Sequence, residues 1–360
     1  METIQSISYP IVFNDDFAAL NQFIQQGNYS KVFFLVDEQT EKHCLPLLIS
    51  QLQISEYDLI EITSGEINKT IDFCIGIWRM LIDFGADRNS LLINVGGGVI
   101  TDIGGFAAST FKRGIDFVQI PTTLLAQVDA SVGGKTGIDM DHLKNIIGTF
   151  AQPNAVFIDT FFLRTLPKRQ LISGFAEMLK HGLISDRAYF DLLKEASPET
   201  IDPELIYHSI TIKNEVVKQD PEEKGLRKIL NFGHTVGHAI ESYSLQHDAM
   251  PLTHGEAIAI GMVCEAFLSV EKTELTAAEL VEIMETLGRF YEKYTIKEVS
   301  VPALIELMKS DKKNNSGKIN CSLLTQIGQC AIDCFCNEEE LCRSLFAYQK
   351  SYHAKLGFRP

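Results

Sequence analysis

The stretch Leu91–Asp102 reads Leu-Leu-Ile-Asn-Val-Gly-Gly-Gly-Val-Ile-Thr-Asp, and a segment rich in alanine and glycine follows it. The apolar part predicts a buried parallel strand, and the segment after the glycines predicts a helix. A strand, a glycine turn and a helix N-terminus together present backbone N–H groups to a phosphate. The dinucleotide fingerprint G-x-G-x-x-G is broken at Thr101, so we expect a dinucleotide-type loop of another pattern. A plain tight turn, the alternative, needs one glycine rather than three.

Similar strands flank this stretch and alternate with helical segments. The predicted strands are Lys31–Asp37, Tyr57–Ile62, Leu91–Val95, Phe117–Ile120 and Ala155–Ile158. The predicted helices include 17–26 before the first strand, and 39–52 and 70–84 between the strands. This alternation predicts an α/β domain over residues 1–170 with a mainly parallel, Rossmann-like sheet. Asp37, at the end of its strand, either binds a ribose hydroxyl or caps the next helix.

From about residue 171 the apolar residues follow a helical period. The predicted helices are 169–182, 187–195, 203–219, 228–245, 255–270, 276–289 and 302–309, with a hairpin of 318–324 and 330–336 and a last helix from Asn337. We therefore expect a mostly α-helical second domain over residues 171–360. Cys330, Cys334 and Cys336 alternate along one face of the hairpin, which favours packing over a metal site because their spacing is not that of a CxxC pair.

Composition narrows the class of protein. The chain has 360 residues and a net charge of −15, which argues against nucleic acid as a partner because such binding depends on Lys and Arg. No secretion signal and no membrane-spanning apolar run is apparent, so we expect a soluble, cytoplasmic protein. A small anionic substrate remains compatible, since it needs only a local basic pocket.

Three histidines lie close together in the helical half. His234 and His238 are four residues apart, which stacks them on one face of a helix, and His254 follows before Gly255 and Glu256. Glu177 lies upstream in another helical stretch. One glutamate and two histidines form a catalytic zinc set that leaves a position open for substrate. The alternative, histidines on the surface or satisfied in the core, is the commoner role for any single one of them.

Many ordered blocks between roughly residues 30 and 345 together resemble the 3-dehydroquinate synthase family. They are Ser64-Gly65-Glu66 with Lys69, Gly96–Asp102, Pro121–Ala126, Asp129–Lys135, Lys144-Asn145, Ala176-Glu177 with Lys180, Arg227 with Leu230–His234 and His238, His254-Gly255-Glu256, and Asp311-Lys312-Lys313. Each block alone is weakly specific, but the whole ordered set is not. One departure is Thr101, where the family usually has glycine before Asp102; a small side chain is expected to fit there.

The resemblance implies NAD in the first domain and one divalent metal, Zn²⁺ or Co²⁺, in the second. By this analogy Glu177, His234 and His254 hold the metal, and His238 is a substrate-side acid/base group. The implied cofactor residues are Asp37, Glu66, Lys69, Gly97, Gly98, Val99, Asp102, Thr122, Thr123, Asp129, Lys135, Lys144 and Thr165. The implied catalytic residues are His238, Glu223, Lys180 and Lys135. The implied substrate residues are Arg113, Lys135, Asn145, Lys180, Lys213, Arg227, Asn231, His238 and Lys313, with Lys312 as the alternative to Lys313.

The implied activity is that of a carbon–oxygen lyase of the shikimate pathway, which leads to chorismate and the aromatic amino acids. It converts 3-deoxy-D-arabino-heptulosonate 7-phosphate to 3-dehydroquinate and phosphate by transient oxidation, phosphate elimination, re-reduction and aldol closure. The resemblance also implies a homodimer in which Arg113 reaches the neighbouring subunit. Alternatives are a related sugar-phosphate cyclase, a metal-dependent polyol-phosphate dehydrogenase that releases NADH, and a non-catalytic NAD-sensing module, which predicts lost metal ligands.

Overall fold

The structure is a computed structural model that describes residues 2–14, 16–140, 143–309 and 319–354, with side chains described as far as residue 350. The chain divides into two compact units. The first comprises Met1–Leu171 and Ile206–Pro221, and the second comprises Ile172–Leu205 and Glu222–Pro360. Within the described ranges, no helix has the length and apolar character needed to cross a membrane.

The first unit is built on a seven-stranded sheet with the order β1-β2-β9-β6-β5-β3-β4. Its strands are β1 (Glu2–Gln5), β2 (Pro10–Phe13), β3 (Val32–Asp37), β4 (Asp58–Ile62), β5 (Leu91–Gly96), β6 (Asp116–Pro121) and β9 (Ala155–Ile158). All neighbours are parallel except β1, which pairs antiparallel with β2 at one edge. The mainly parallel sheet predicted from the sequence is therefore confirmed.

Helices cover both faces of this sheet. They are α1 (Ala18–Gly27), α2 (Glu38–His43), α3 (Leu45–Gln51), α4 (Ile71–Asp83) and α5 (Gly98–Thr110). Phe33 and Leu35 of β3 pack with α4 and α5, whereas Phe34 and Val36 pack on the other face with α1 and α3. Because successive side chains of a strand point to opposite faces, a strand buried on both sides reads as a continuous apolar run.

Three features of the first unit differ from the sequence prediction. The helix expected at 39–52 is two helices, because Pro46 lies in the first turn of α3 and cannot continue the preceding helix. The strands β1 and β2 were not predicted. Nor was the antiparallel hairpin of β7 (Lys135–Met140) and β8 (Leu143–Phe150), where polar and glycine residues hide the alternation.

The second unit is mostly helical, as predicted. The helices from residue 168 onward are α6 (Lys168–Ser185), α7 (Arg187–Glu195), α8 (Pro203–Gln219), α9 (His234–His247), α10 (His254–Lys272), α11 (Ala277–Phe290), α12 (Val301–Lys309) and α13 (Glu338–Ala354). Of these, α8 belongs to the first unit from Ile206 onward. The predicted hairpin forms between β10 (Ile319–Gln326) and β11 (Gln329–Cys336), in which Cys321 lies opposite Cys334. All eight cysteines fall in described ranges and are free thiols.

The helix predicted at 228–245 is wrong at its start. Leu226–Asn231 form a 3₁₀ helix, and α9 begins only at His234. Gly233 separates the two with φ of +81°, a conformation that residues with a side chain rarely adopt. Arg227, Asn231 and His234 therefore do not stack on successive turns of one helix.

Candidate functional site

Three helices of the second unit bring Glu177, His234 and His254 together. Glu177 lies within α6, while the two histidines are the first residues of α9 and α10. Oε1 of Glu177 is 3.3 Å from Nε2 of His254 and 3.6 Å from Nε2 of His234. The edge of a tetrahedron with metal–ligand bonds of about 2.1 Å is roughly 3.4 Å, so these atoms already stand at the spacing of a zinc site. These three residues, the metal set, thus fit a divalent ion.

Each histidine of the metal set uses its other ring nitrogen elsewhere. Nδ1 of His234 donates to the carbonyl of Phe232 at 3.1 Å, and Nδ1 of His254 donates to Oε2 of Glu241 at 3.2 Å. Such outer partners fix the ring orientation and leave Nε2 to bind a metal. Glu241 was missed from the sequence, although it follows His238 at the three-residue spacing of one helix face.

Buried contacts hold the two helix starts in place. Glu265 of α10 accepts hydrogen bonds from the amides of Gly233 and Val236 at 2.7 and 3.1 Å. Its carboxylate satisfies N–H groups that the first turn of α9 leaves unpaired, and its negative charge suits a helix N-terminus. Nothing in the local sequence distinguishes Glu265 from an ordinary helix residue, because its role depends on how α9 and α10 pack.

The electrostatics of the metal set suit a cation. Burial opposes the charging of His254, but the carboxylates of Glu241 and Glu177 outweigh it and raise the pKa of the imidazole to about 9. Lys180, on the next turn of α6, forms an ion pair with Oε2 of Glu177, and both side chains are buried. Without a metal, cationic side chains therefore neutralise Glu177.

His238 lies beside the metal set on α9. Its ring centroid is 5.0 Å from that of His234 and 5.9 Å from that of His254. It is half-buried, whereas His234 is buried. His238, Glu241 and His254 also bring their ligand atoms within 4.8 Å of one another, so geometry alone leaves His238 either role, ligand or acid/base group.

Three further predicted residues lie just before α9. Arg227 is 1% exposed on the 3₁₀ helix. Asn231 donates through Nδ2 to Oε1 of Glu223 at 3.0 Å, and Glu223 adopts a φ of +60°. The structure thus joins the predicted Glu223 and Asn231 through a bent loop and not through helical spacing. Lys313, with its alternative Lys312, lies outside the described residues.

In the first unit, the predicted cofactor residues follow the carboxyl ends of parallel strands. Asp37 ends β3; Glu66 and Lys69 follow β4; Gly97, Gly98, Val99 and Asp102 follow β5; Thr122, Thr123 and Asp129 follow β6; and Thr165 ends a 3₁₀ helix after β9. Because these strands are parallel neighbours, their carboxyl ends share one edge of the sheet, where ligands of such folds bind.

The glycine loop at this edge suits close approach of a phosphate. Gly97 is the N-cap of α5, and a Cβ built there would lie 3.0 Å from Cγ2 of Thr123. The absent side chain leaves the helix N-terminus open, with its N–H groups available to an anion. Thr101 is buried, and its hydroxyl donates to the carbonyl of Gly98 at 3.0 Å, so the departure from the family pattern is accommodated within α5.

Lys69 is the centre of a charged cluster in the first unit. Its Nζ lies 3.1 Å from Oε1 of Glu66, 3.2 Å from Oδ2 of Asp102 and 2.8 Å from Oδ1 of Asn145. Nζ of Lys144 lies 2.8 Å from Oε1 of Glu66. Five predicted residues, distant in sequence, thus meet; with Asp139, which was not predicted, they form the Lys69 cluster.

The pKa values of two residues in the Lys69 cluster differ from their ordinary values. Burial opposes the charge of Lys69, but Glu66, Asp102 and Asp139 hold its pKa above the ordinary value. Burial raises the pKa of Asp102 to about 6, although Lys69 acts in the opposite direction.

Other predicted residues of the first unit have varied surroundings. Oδ1 of Asp37 accepts from the amides of Gln39 and Thr40 in a capping box, so the N-cap role is realised. Lys213 pairs with Asp129 at 2.7 Å, and Lys135 is exposed at the start of β7. Arg113 is exposed on a 3₁₀ turn with φ of +71°.

These features define a class: a metal-dependent enzyme built on a dinucleotide-binding α/β fold. Family profiles described as 3-dehydroquinate synthase N-terminal and C-terminal match residues 59–173 and 174–314. The chain therefore belongs to the 3-dehydroquinate synthase family. The enzymes of this family are carbon–oxygen lyases.

One curated relative supports the family, and two solved structures share the fold. A 3-dehydroquinate synthase from Parabacteroides distasonis is 40% identical, with 95% of this chain and 98% of the relative covered. The structure of a 2-epi-5-epi-valiolone synthase from Streptomyces hygroscopicus, with NAD⁺ and Zn²⁺ bound, is 25% identical in sequence and has a TM-score of 0.82. The match covers 98% of this chain and 99% of that protein's chain. The structure of a 2-deoxy-scyllo-inosose synthase, complexed with carbaglucose-6-phosphate, NAD⁺ and Co²⁺, has a TM-score of 0.84 at 23% identity. The match covers 97% of this chain and 99% of that protein's chain.

Proposed function

We propose that this chain converts 3-deoxy-D-arabino-heptulosonate 7-phosphate to 3-dehydroquinate and phosphate, a step of the shikimate pathway. The observation that carries the proposal is the metal set with its outer partners, in a chain of the 3-dehydroquinate synthase family. Retention of Glu177, His234 and His254 at metal-binding spacing disfavours a non-catalytic NAD-sensing module.

The two halves of the chain take different roles in this proposal. Residues 1–170 bind NAD at the carboxyl edge of the parallel sheet, and residues 171–360 hold a Zn²⁺ or Co²⁺ ion and bind the substrate. A bound NAD supplies a reversible hydride acceptor, and a bound metal ion supplies a Lewis acid that polarises a substrate oxygen. The donor chemistry fits, because imidazole and carboxylate ligands suit these ions.

The chain's own side chains bind the substrate and move its protons. His238, half-buried beside the metal set, is the substrate-side acid/base group. A divalent ion held by Glu177 would take the place of Lys180 at that carboxylate, and the ammonium of Lys180 would then suit an anionic group of the substrate. Arg227 presents a planar fork suited to a carboxylate or phosphate, and Asn231, held by Glu223, supplies neutral donors.

We also propose a cytoplasmic homodimer. Eight free thiols suit a reducing compartment. Arg113, exposed on its turn, can reach a neighbouring subunit, as the family resemblance implies.

One assay tests the activity. Purified protein is supplied with the heptulosonate phosphate, Zn²⁺ and a trace of NAD, and phosphate release is followed together with absorbance of NADH. We expect phosphate to exceed NAD many times over without net NADH, because the hydride returns to the product. Accumulation of NADH in step with substrate loss would contradict the cyclase and favour the dehydrogenase.

A further inference from the structure

Asp139 contacts two of the residues proposed to bind cofactor and substrate, although neither its position nor its neighbours in sequence mark it. We propose that Asp139 is a positioning residue, which holds Asn145 and Lys144 in place by accepting the backbone N–H of Asn145. The inference rests on the proposed function, with Lys144 assigned to the cofactor and Asn145 to the substrate as the family resemblance implies.

The hairpin of β7 and β8 is irregular at this point. Ile138 pairs with Ile147 and Met140 pairs with Leu143, so Asp139 alone lies opposite the three residues from Lys144 to Ile146. Such bulges re-aim side chains and recur next to active sites. Here the bulge directs Asn145 and Lys144 to the Lys69 cluster, where they contact Lys69 and Glu66.

The backbone of Asp139 leaves the hairpin and pairs with another segment. Its N–H donates to the carbonyl of Lys69 at 2.8 Å, and it forms a parallel bridge with Thr70. The main chain of Asp139 is therefore anchored next to Lys69 and is not engaged in a regular ladder with β8.

The side chain compensates for the missing ladder bond. Oδ1 of Asp139 accepts from the N–H of Asn145 at 2.7 Å. Asn145 has a φ of +52°, in the left-handed region that asparagine tolerates better than most residues. The same oxygen of Asp139 lies 3.6 Å from Nζ of Lys69, and Lys69 in turn donates to Oδ1 of Asn145. Asp139, Lys69 and Asn145 thus form a closed set of contacts that fixes the backbone and the side chain of Asn145 together.

Two substitutions of Asp139 distinguish the effect of losing this hydrogen bond from the effect of losing the negative charge. Asp139→Asn keeps an acceptor oxygen for the N–H of Asn145 and removes the charge, whereas Asp139→Ala removes both. The matched control is Asp58→Asn, which removes a carboxylate from another ion pair of the same unit, Lys31–Asp58 at 3.1 Å.

Each purified variant is assayed for kcat, KM for the heptulosonate phosphate, NAD affinity by titration, and thermal unfolding. We expect Asp139→Ala to raise KM and the Kd for NAD by about tenfold or more, because small displacements of binding groups have large effects. We expect kcat to stay within a few-fold and Asp139→Asn to restore KM and Kd. A purely structural defect would instead lower the active fraction, and hence kcat, without raising KM.

Three outcomes would overturn the inference. They are an unchanged KM and Kd in Asp139→Ala, a kcat loss without a KM change, or an Asp139→Asn variant as impaired as Asp139→Ala. If the wild-type chain itself releases no phosphate, the proposed function fails. The NAD titration then still tests whether Asp139 positions Lys144.

Discussion

Oε1 of Glu177 lies 3.3 Å from Nε2 of His254, although 77 positions separate the two residues. Gly255 makes this contact possible, because a side chain there would overlap the carbonyl of Ser173 on α6. The amide of Gly255 instead donates to the hydroxyl of Ser173 at 3.0 Å. The glycine after His254 therefore allows the start of α10 to approach the helix that carries Glu177.

Loss of the Glu241 charge should weaken metal binding without removing a ligand. Glu241 orients His254 through Nδ1, so we expect Glu241→Gln to lower metal affinity and Glu241→Ala to lower it by ~10–100-fold. Competition with a chromogenic chelator measures the affinity, and Glu274→Gln on the exposed surface is the control. Unchanged affinity in Glu241→Ala would show that His254 needs no such orientation.

Substitution of His234 should affect metal binding, whereas substitution of His238 should affect the rate. His234→Ala should lose the metal, because Nε2 of His234 faces Glu177 at 3.6 Å. His238→Ala should retain the metal and lose about 100-fold or more in rate, as expected for an acid/base group. Metal content after dialysis and kcat are the two measurements. Equal metal loss in both variants would identify His238 as a ligand.

The activity should be sensitive to substitution of Arg227, even by lysine. Arg227→Lys keeps the charge but removes the planar fork, so both Arg227→Lys and Arg227→Ala should lower kcat/KM. For alanine we expect a loss of about 2–4 kcal/mol in transition-state stabilisation, within the range for truncating one member of a buried charge pair. Because Arg227 is 1% exposed, its truncation should also lower the temperature of thermal unfolding. The control is the neighbouring substitution Lys228→Ala, which breaks only the surface ion pair with Asp333. A near-normal kcat/KM in Arg227→Ala would contradict the proposed substrate orientation.

A shared active site predicts complementation between two inactive variants. If Arg113 serves the neighbouring subunit, mixed dimers of Arg113→Ala and His238→Ala chains contain one intact site. We expect part of the wild-type activity to return after unfolding and refolding the two chains together, with each chain refolded alone as the control. Verified mixed dimers without activity would place Arg113 in the site of its own subunit.

Asp102 should make the ligand-free protein less stable as pH rises from about 4 to about 6. An unfolded aspartate releases its proton near pH ~3.9, whereas the folded pKa of Asp102 is about 6. Between these values the folded state binds more protons, so stability falls with increasing pH. Asp102→Asn should lose this contribution, and its melting temperature relative to wild type should rise from pH 4 to pH 7. A constant difference across that range would contradict the raised pKa.

Several elements could be predicted from local sequence. The apolar runs that became β3, β4, β5, β6 and β9 were identified because burial on both faces leaves a continuous apolar pattern. Helices such as α7 and α8 have the predicted bounds, since their apolar period and caps are local signals. The family resemblance, carried by ordered short blocks, supplied the metal set and the cofactor residues.

Other features were not predicted, some because the apolar period outweighed a local helix breaker and others because they depend on long-range packing. Pro46 and Gly233 divided two predicted helices, but the apolar period continues across both positions. The β7–β8 hairpin was missed because polar and glycine residues hide its alternation. Its irregular end is anchored by contacts of Asp139 with Lys69 and Thr70, a segment distant in the chain.

The sequence by itself determined which residue types are present: a glycine turn after a buried strand, and glutamate and histidines suited to a metal. Only the tertiary structure decided which nitrogen of each histidine faces Glu177, and that Glu241, Glu265 and Asp139 contact the segments that carry the predicted site residues. The physical reason is that hydrogen bonds and ion pairs between distant segments depend on how the elements pack, and the spacing of residues along the chain does not record that packing.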